Sequence, residues 1–253
     1  MPSVPPQDKP RYLTEHLVDL RKALVRSLVF IALGIGIAFW RSDWLFLALL
    51  KPFQETLDKF PEFHSQVHAL QTLAPIEAFM IDMKLSTLTG ILLASPLILR
   101  ELWVFASPAL KKNERNAILM VFLLGLFFFT GGLLFGYFIV IPMALQFLMR
   151  YNLSFHFIPQ WTLQGYFSFT TNFLLIFGVI FELPLVLAAL VAIGVATPAF
   201  LVQKWKHAVL GIFVVSAFLA PSADPVTQTI VAVPLIALYG LGIGLSYLAQ
   251  KAK

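Results

Sequence analysis

The sequence predicts an all-α integral membrane protein with six transmembrane helices. Hydrophobic residues make up 59% of its 253 residues and charged residues only 12%, whereas a soluble domain carries about 25% charged residues. Long uncharged runs alternate with charged loops, and most of these runs are long enough to cross about 30 Å of hydrocarbon. The Lys and Arg residues are sorted by loop, which indicates a fixed membrane topology.

The chain begins with a polar, Pro-rich stretch that predicts a flexible tail over residues 1–10. Residues 11–253 are predicted to form one six-helix transmembrane domain. From Tyr12, leucines recur at helical spacing with charges on another face, which predicts an amphipathic helix at the membrane surface. This helix leads into the first span, at about residues 24–40, with Arg26 reaching back to the interface.

The fifth of the six predicted spans is unusually short. Spans two to six are predicted at about residues 75–100, 117–149, 166–193, 208–220 and 225–248. At about 1.5 Å per residue, span five reaches only about 20 Å against roughly 30 Å of hydrocarbon. Either the bilayer thins there or a partner covers the mismatch. Within span three, Gly131, Gly132 and Gly136 predict the close approach of a neighbouring helix.

The segment between spans one and two is predicted to be mostly irregular. Residues 44–50 are too few to cross and predict an interfacial piece, and residues 51–73 predict a polar loop. His64 and His68 in this loop are four apart, but no third ligand lies near them. We therefore expect surface histidines and no metal site.

The distribution of basic residues predicts that both termini are cytoplasmic. Thirteen of the 18 Lys and Arg residues fall on the side that holds the termini and four on the other, with Lys84 near the outer end of span two. Cytoplasmic loops carry the excess of Lys and Arg. Because the charges are distributed over loops and form no single patch, a nucleic-acid partner is not expected.

The sequence carries none of the common catalytic or cofactor motifs. It has no cysteine, no HExxH, no Walker lysine loop, no dinucleotide-binding glycine pattern and no serine elbow. We therefore predict a protein that is not an enzyme and that needs no cofactor.

Glu182, in the stretch FGVIFELP, is the only charged residue between Tyr151 and Gln203. A carboxylate at this depth normally faces a bundle interior, a wet cavity or a polar partner. The alternative is a protonated side chain bonded to nearby backbone where Pro184 loosens the helix. An ion-coupled small-solute transporter using Glu182 is a second functional hypothesis, although no internal repeat supports it. A purely structural scaffold is a third.

Acidic residues stand out in the otherwise basic rim on the cytoplasmic side. They are Glu15, Asp19, Glu101 and Glu114. Two carboxylates could hold a pair of adjacent guanidinium groups in bidentate fashion and discriminate against lysine. Exposed pairs contribute only about 0–1 kcal/mol each, so further apolar contacts would be needed. The alternative is local pairing, of Glu114 with Arg115 or Lys111 and of Asp19 with Lys22.

Six motifs in order resemble TatC, the six-span receptor subunit of the twin-arginine protein translocase. They are His16–Arg21 (HLVDLR, against HLxELR), Pro75–Lys84 (PIEAFMIDMK), the loop pattern Pro96, Trp103, Phe105, Pro108, Leu110, Glu114 and Arg115, then Gly136-Tyr-Phe with Pro142, FGVIFELP, and the late series Asp224, Gln228, Pro234 and Tyr239. The resemblance covers nearly the whole chain after the tail and implies a TatC-like bundle.

The resemblance implies a receptor and core subunit that exports folded proteins across the cytoplasmic (inner) membrane, driven by the proton-motive force. The implied partners are twin-arginine signal peptides, the single-span subunits TatB and TatA, the lipid bilayer, and further copies of the chain in a receptor complex.

The resemblance also assigns roles to residues. It implies that Glu114 and Asp19 bind the arginine pair of the signal peptide, and that Arg21, Phe105 and Pro108 shape the site. Arg100-Glu101 replaces the common Tyr-Gln, so Glu101 adds a carboxylate that could share the recognition. Glu182 and Gln228 are the residues expected to meet a partner helix.

Overall fold

All regular elements in the described part of the chain are helices. The computed structural model describes residues 13–60, 70–106, 112–157, 160–220 and 225–251. The elements are α1 (Leu13–Trp40), α2 (Ser42–Leu57), α3 (Glu77–Ala106), α4 (Lys112–Phe135), a π-helical turn (Gly136–Val140), α5 (Ile141–Ser154), α6 (Leu163–Ile180), α7 (Leu183–Ala192), α8 (Pro198–Gln203), α9 (Trp205–Leu219) and α10 (Pro225–Lys251). Outside these ranges lie the predicted tail (residues 1–10), His64, His68, Pro108 and Asp224.

The helices confirm a multi-pass membrane protein. Among the described residues, five segments are long and apolar enough to cross a bilayer: Leu20–Trp40, Glu77–Glu101, Met120–Ser154, Leu163–Ala192 and Pro225–Leu248. The short apolar helix predicted between spans four and six is α9, with 15 residues. A count of six crossings requires α9 to cross as well, and this count stays a prediction.

Helix α2 contradicts the prediction of a polar loop beginning at Lys51, because it continues through Pro52 to its last turn. A proline has no N–H and leaves the carbonyl four residues earlier without a donor. Here that carbonyl belongs to Ala48, and the Tyr137 hydroxyl donates to it. The hydroxyl of Thr56 donates to the Pro52 carbonyl at 2.8 Å. The Tyr137 hydroxyl thus replaces the donor that the proline lacks, and the helix persists.

A π-helical turn precedes Pro142 in the longest span. The segment Met120–Ser154 has 35 residues, or about 52 Å of helix, which exceeds the hydrocarbon thickness. Pro142 cannot donate to the carbonyl of Phe138, so the helical hydrogen-bond pattern has to change there. The π-turn Gly136–Val140 takes up this change and lets the helix continue into α5.

The helices form two compact units, each described here by itself. The first contains α1, the part of α3 from Ser86 onward, and α4 up to Met120; the second contains the remaining helices. In the first unit, a Cβ added to Gly34 would meet the carbonyl oxygen of Gly90. The backbones of α1 and α3 therefore touch, which only residues without side chains permit.

The second unit contains the larger buried core. Its first cluster joins α2, the start of α3, α5 and α6 through Phe53, Ile81, Leu145, Met149, Tyr166 and Phe167. A second cluster joins α6 to α10 through Val140, Phe177, Val231, Leu235 and Leu238. The close approach predicted at Gly132 is confirmed, because a Cβ there would meet the carbonyl oxygen of Phe177 and lie 2.9 Å from the Cα of Gly178.

A buried carboxylate ties the start of α3 to the start of α6. Glu77 is 6% exposed, and its oxygens accept the backbone N–H groups of Leu73 at 2.7 Å, Ala74 at 3.3 Å and Gln164 at 2.7 Å. Two backbone hydrogen bonds join Gln71 to Trp161 and to Leu163, the first residue of α6. The loop ends that precede these two helices are therefore fastened to each other.

Candidate functional site

The first unit contains a carboxylate that holds two arginines. Glu101 is 3% exposed, and its Oε2 atom lies 3.4 Å from Nη1 of Arg26 on α1. Its Oε1 atom lies 3.4 Å from Nη1 of the neighbouring Arg100. The two arginine side chains are 60% and 66% exposed. A buried negative charge therefore sits beneath two guanidinium groups that face outward.

The packing of α1 on α3 fixes where Asp19 lies along the unit. The two helices run antiparallel, because the contact partner of Gly34 is Gly90 and the contact partner of Arg26 is Glu101. Asp19 lies seven residues before Arg26, or about 10 Å further along α1. This shift carries the Asp19 backbone toward the end of α3, beyond the level of Glu101.

The predicted peptide-binding residues fall in this same unit. Asp19 and Arg21 lie on α1, Phe105 in the last turn of α3, and Glu114 in the first turn of α4. Arg21 is exposed. The side chains of Glu15, Asp19, Phe105 and Glu114, and the whole of Pro108, lie outside the described residues. Contacts among the acidic side chains therefore stay predictions.

The pairing of Arg26 with Glu101 is a feature that the sequence did not reveal. Sequence reasoning placed Arg26 at the interface and gave Glu101 a share in recognition, but it did not connect the two, which are separated by 75 positions. The helical spacing alone gives no register between two helices. The only available signal was an unusual acid beside an arginine at the end of a predicted span.

In the second unit, Glu182 lies at a break in a membrane-spanning segment. Residues 181–182 form a turn between α6 and α7, as expected from Pro184, which has no N–H to give the carbonyl of Ile180. The carboxylate does not bond to this turn, and no other hydrogen-bond partner for it is found in the described ranges. Gly125 on α4 faces it, because a Cβ there would lie 3.6 Å from both carboxylate oxygens.

Gln228 is engaged within the second unit. Its Nε2 atom donates to the carbonyl oxygen of Phe213 at 2.8 Å, which joins the first turns of α10 to α9. The hydroxyl of Ser216 donates to the same carbonyl at 2.9 Å. The side chain is half-buried, and its amide oxygen and second N–H have no partner among the described residues.

An apolar groove lies beside the short helix α9. Its cavity volume is about 390 Å³, and its lining includes Leu183, Leu187, Ile212, Val215, Leu235 and Tyr239 from α7, α9 and α10. The hydroxyl of Tyr239 donates to the carbonyl of Leu201 at 2.9 Å, so its polar atom is already satisfied. Val179 and Ile180, which precede Glu182, and Leu183, which follows it, also line the groove.

No group of three or more potential metal ligands occurs within the part of the chain that the structure describes. The predicted histidine pair falls outside that part.

Comparison with known proteins identifies close relatives over nearly the full length. Residues 15–234 match the family model described as Sec-independent protein translocase protein (TatC). The Aquifex aeolicus protein of that name is 38% identical over 244 residues, covering 95% of this chain and 97% of its own. Its counterpart from Carboxydothermus hydrogenoformans is 36% identical over 240 residues, covering 94% and 93%.

Two solved structures also resemble the fold. A crystal structure of the twin arginine translocase receptor TatC is 36% identical, with a TM-score of 0.65, and the match covers 93% of this chain and 99% of that one. A second crystal structure of this receptor, in DDM, is 37% identical with a TM-score of 0.67, covering 91% and 99%.

Proposed function

Because the chain belongs to the TatC family of Sec-independent protein translocase proteins, we propose that it is the signal-peptide receptor and core subunit of a twin-arginine translocase. In this role it binds precursor proteins by the paired arginines of their signal peptides and exports them folded. It acts by binding and assembly, without covalent chemistry of its own.

The antiparallel packing of α1 on α3 carries the proposal. Asp19, at the far end of α1, and Glu114, in the first turn of α4, belong to one compact unit. Two carboxylates in one compact unit suit two adjacent guanidinium groups, each of which is planar and pairs with a carboxylate in bidentate fashion. The ammonium group of lysine lacks the planar, forked set of N–H donors of a guanidinium group, so the site would select arginine.

The other residues of the site support these two acids. Arg21 is exposed and adds a positive charge to the unit, which would limit repulsion between the acids. Phe105 and Pro108 would supply apolar contact to the residues that flank the arginine pair. Glu101, which is already held by Arg26 and Arg100, would act by fixing the ends of α1 and α3 or by exchanging one of its arginines for a peptide arginine.

The second unit is proposed to receive a single-span partner helix, from the TatB or TatA subunit. Glu182 offers a carboxylate with no partner in the described residues, Gln228 offers an amide oxygen, and the groove beside α9 offers an apolar surface. Because α9 reaches only about 22 Å, a partner helix lying along it would cover the mismatch with the bilayer. Copies of the chain would assemble with these subunits in a receptor complex.

Membership of the TatC family supports a cytoplasmic (inner) membrane location. The distribution of basic residues supports both termini in the cytoplasm and six crossings, including α9. The arginine-binding acids then face the compartment in which precursors fold. The proton-motive force is the proposed energy source.

Peptide binding tests the proposal. The full chain in nanodiscs would be titrated with a labelled twin-arginine peptide and with its Lys-Lys counterpart. We expect Glu114→Ala to weaken binding at least tenfold, since hydrogen bonds to charged groups contribute about 1.5–3 kcal/mol, and Glu114→Asp to retain part of it. Glu55→Ala is the matched control, because Glu55 is an exposed glutamate of the other unit, paired with Lys51.

Unchanged binding in both Glu114→Ala and Asp19→Ala would refute the proposal. Solute flux into liposomes by this chain alone, lost in Glu182→Gln, would instead support the ion-coupled transporter.

A further inference from the structure

We propose that Arg26 and Arg100 form a binding site for the phosphate group of an anionic phospholipid, with Glu101 as the buried residue that positions both guanidinium groups. The site lies at the end of the first unit where α1 enters the membrane and α3 leaves it.

The charge balance of the cluster favours an anion. Two guanidinium groups share one carboxylate, which leaves a residual positive charge. Because Glu101 is 3% exposed and receives one arginine on each oxygen, it holds both side chains near each other and reduces the freedom they would lose on binding a ligand.

The arginines have donors left for a ligand. A guanidinium group carries five N–H donors, and the contact with Glu101 engages one nitrogen of each. Both side chains are more than half exposed, so the remaining donors face outward. Planar arginine forks match phosphate oxygens in bidentate geometry.

The depth of the cluster indicates a membrane interface. Glu101 is the last residue of the span Glu77–Glu101, and Arg26 is the seventh residue of the span Leu20–Trp40. Long arginine side chains at such positions extend to the interface. A phosphodiester of a bilayer lipid lies at this level.

On α1 and on α3, the helix face that carries the arginine continues toward the membrane centre with exposed apolar residues. Val29 and Leu33 follow Arg26 at helical i+3 and i+7 positions, and they are 51% and 58% exposed. Leu97 and Leu93 precede Arg100 at the same spacings and are 43% and 55% exposed. Acyl chains beneath a bound headgroup would pack along these residues, which a free phosphate ion would leave uncovered.

Native mass spectrometry of the full chain tests the proposal. The purified protein would be titrated with phosphatidylglycerol and with zwitterionic phosphatidylcholine. We expect Arg26→Gln/Arg100→Gln to weaken phosphatidylglycerol binding about thirtyfold, from the usual contribution of two basic residues near an anionic lipid. Lys204→Gln/Lys206→Gln removes the same charge from another exposed site and is expected to change binding by less than about threefold.

Further arms keep the inference falsifiable. Arg26→Lys/Arg100→Lys preserves the ion pairs with Glu101 but not the planar forks, and we expect a loss smaller than that of the glutamine pair. The proposal would be overturned if Arg26→Gln/Arg100→Gln and Lys204→Gln/Lys206→Gln weakened phosphatidylglycerol binding equally. Binding as tight as that of the wild type in Arg26→Lys/Arg100→Lys would also overturn it. Displacement of the lipid by excess inorganic phosphate would identify free phosphate as the ligand and would also overturn it.

Discussion

The Tyr137 hydroxyl is predicted to stabilise α2 only because Pro52 is present. Its acceptor is the carbonyl of Ala48, which would receive the N–H of residue 52 in an uninterrupted helix. Tyr137→Phe removes the hydroxyl and leaves that carbonyl unpaired. Such a loss costs about 1–3 kcal/mol in general, but side-chain hydrogen bonds within membrane bundles average only about 0.6 kcal/mol. We therefore expect a destabilisation of about 1 kcal/mol.

A double-mutant cycle isolates this dependence. Pro52→Ala supplies the missing N–H, so in that background Tyr137→Phe is expected to cost nearly nothing, which gives a coupling of about 1 kcal/mol. Reversible unfolding in mixed micelles measures all four variants.

Tyr166→Phe is the matched control for this cycle. The Tyr166 hydroxyl donates to the carbonyl of Leu49, one residue along, whose helical donor is Phe53 and not Pro52. Its cost should therefore be the same with Pro52 or Ala at position 52. An equal cost of Tyr137→Phe in both backgrounds would refute the reasoning.

Three further predictions concern packing and the two candidate sites. Gly132→Ala places a methyl group against the Phe177 carbonyl and should destabilise the chain by about 1–3 kcal/mol. Gly211→Ala is the control, because a Cβ there meets nothing within 4 Å. Equal melting temperatures of the two variants would contradict this prediction. Gly125→Leu should keep a partner helix away from Glu182 and reduce co-purification of the single-span subunit as much as Glu182→Gln does. Normal co-purification with Gly125→Leu would show that the partner helix does not approach Glu182 past Gly125. Glu101→Gln should cost no more than about 1 kcal/mol in thermal unfolding, because both arginines are mostly exposed and screened by solvent; a larger loss would mean that the ion pairs are shielded.

The sequence was sufficient for features that depend on composition along one segment. Uncharged runs located the membrane-spanning helices, and the first span ends at residue 40, as predicted. The loosening of the helix near Pro184, named only within the alternative interpretation of Glu182, is seen as the turn at residues 181–182. The close approach at Gly132 followed from the absence of a side chain. In each case the physical cause lies within a few residues of its effect.

Features that depend on distant partners could not be predicted. The rule that proline ends a helix failed at Pro52 because its replacement donor, Tyr137, lies 89 positions from Ala48. The register that joins Arg26 to Glu101 likewise depends on how two glycines, Gly34 and Gly90, meet. For the candidate site, sequence named the acidic residues but not which of them already had partners.

The turn at Glu182 divides one span into two helices that pack against different neighbours. Before it, α6 is pressed against the long span at Gly132; after it, α7 is pressed against α10, where a Cβ on Gly242 would lie 2.7 Å from Leu187 and 3.0 Å from Pro184. In an unbroken helix, a displacement caused by α10 would be transmitted along the whole span. Because the span is broken at Glu182, we expect a helix that displaces α10 to move α7 and reorient Glu182 more than it moves α6. Helix α6 also packs on α10, but its contact with Gly132 holds it to the long span.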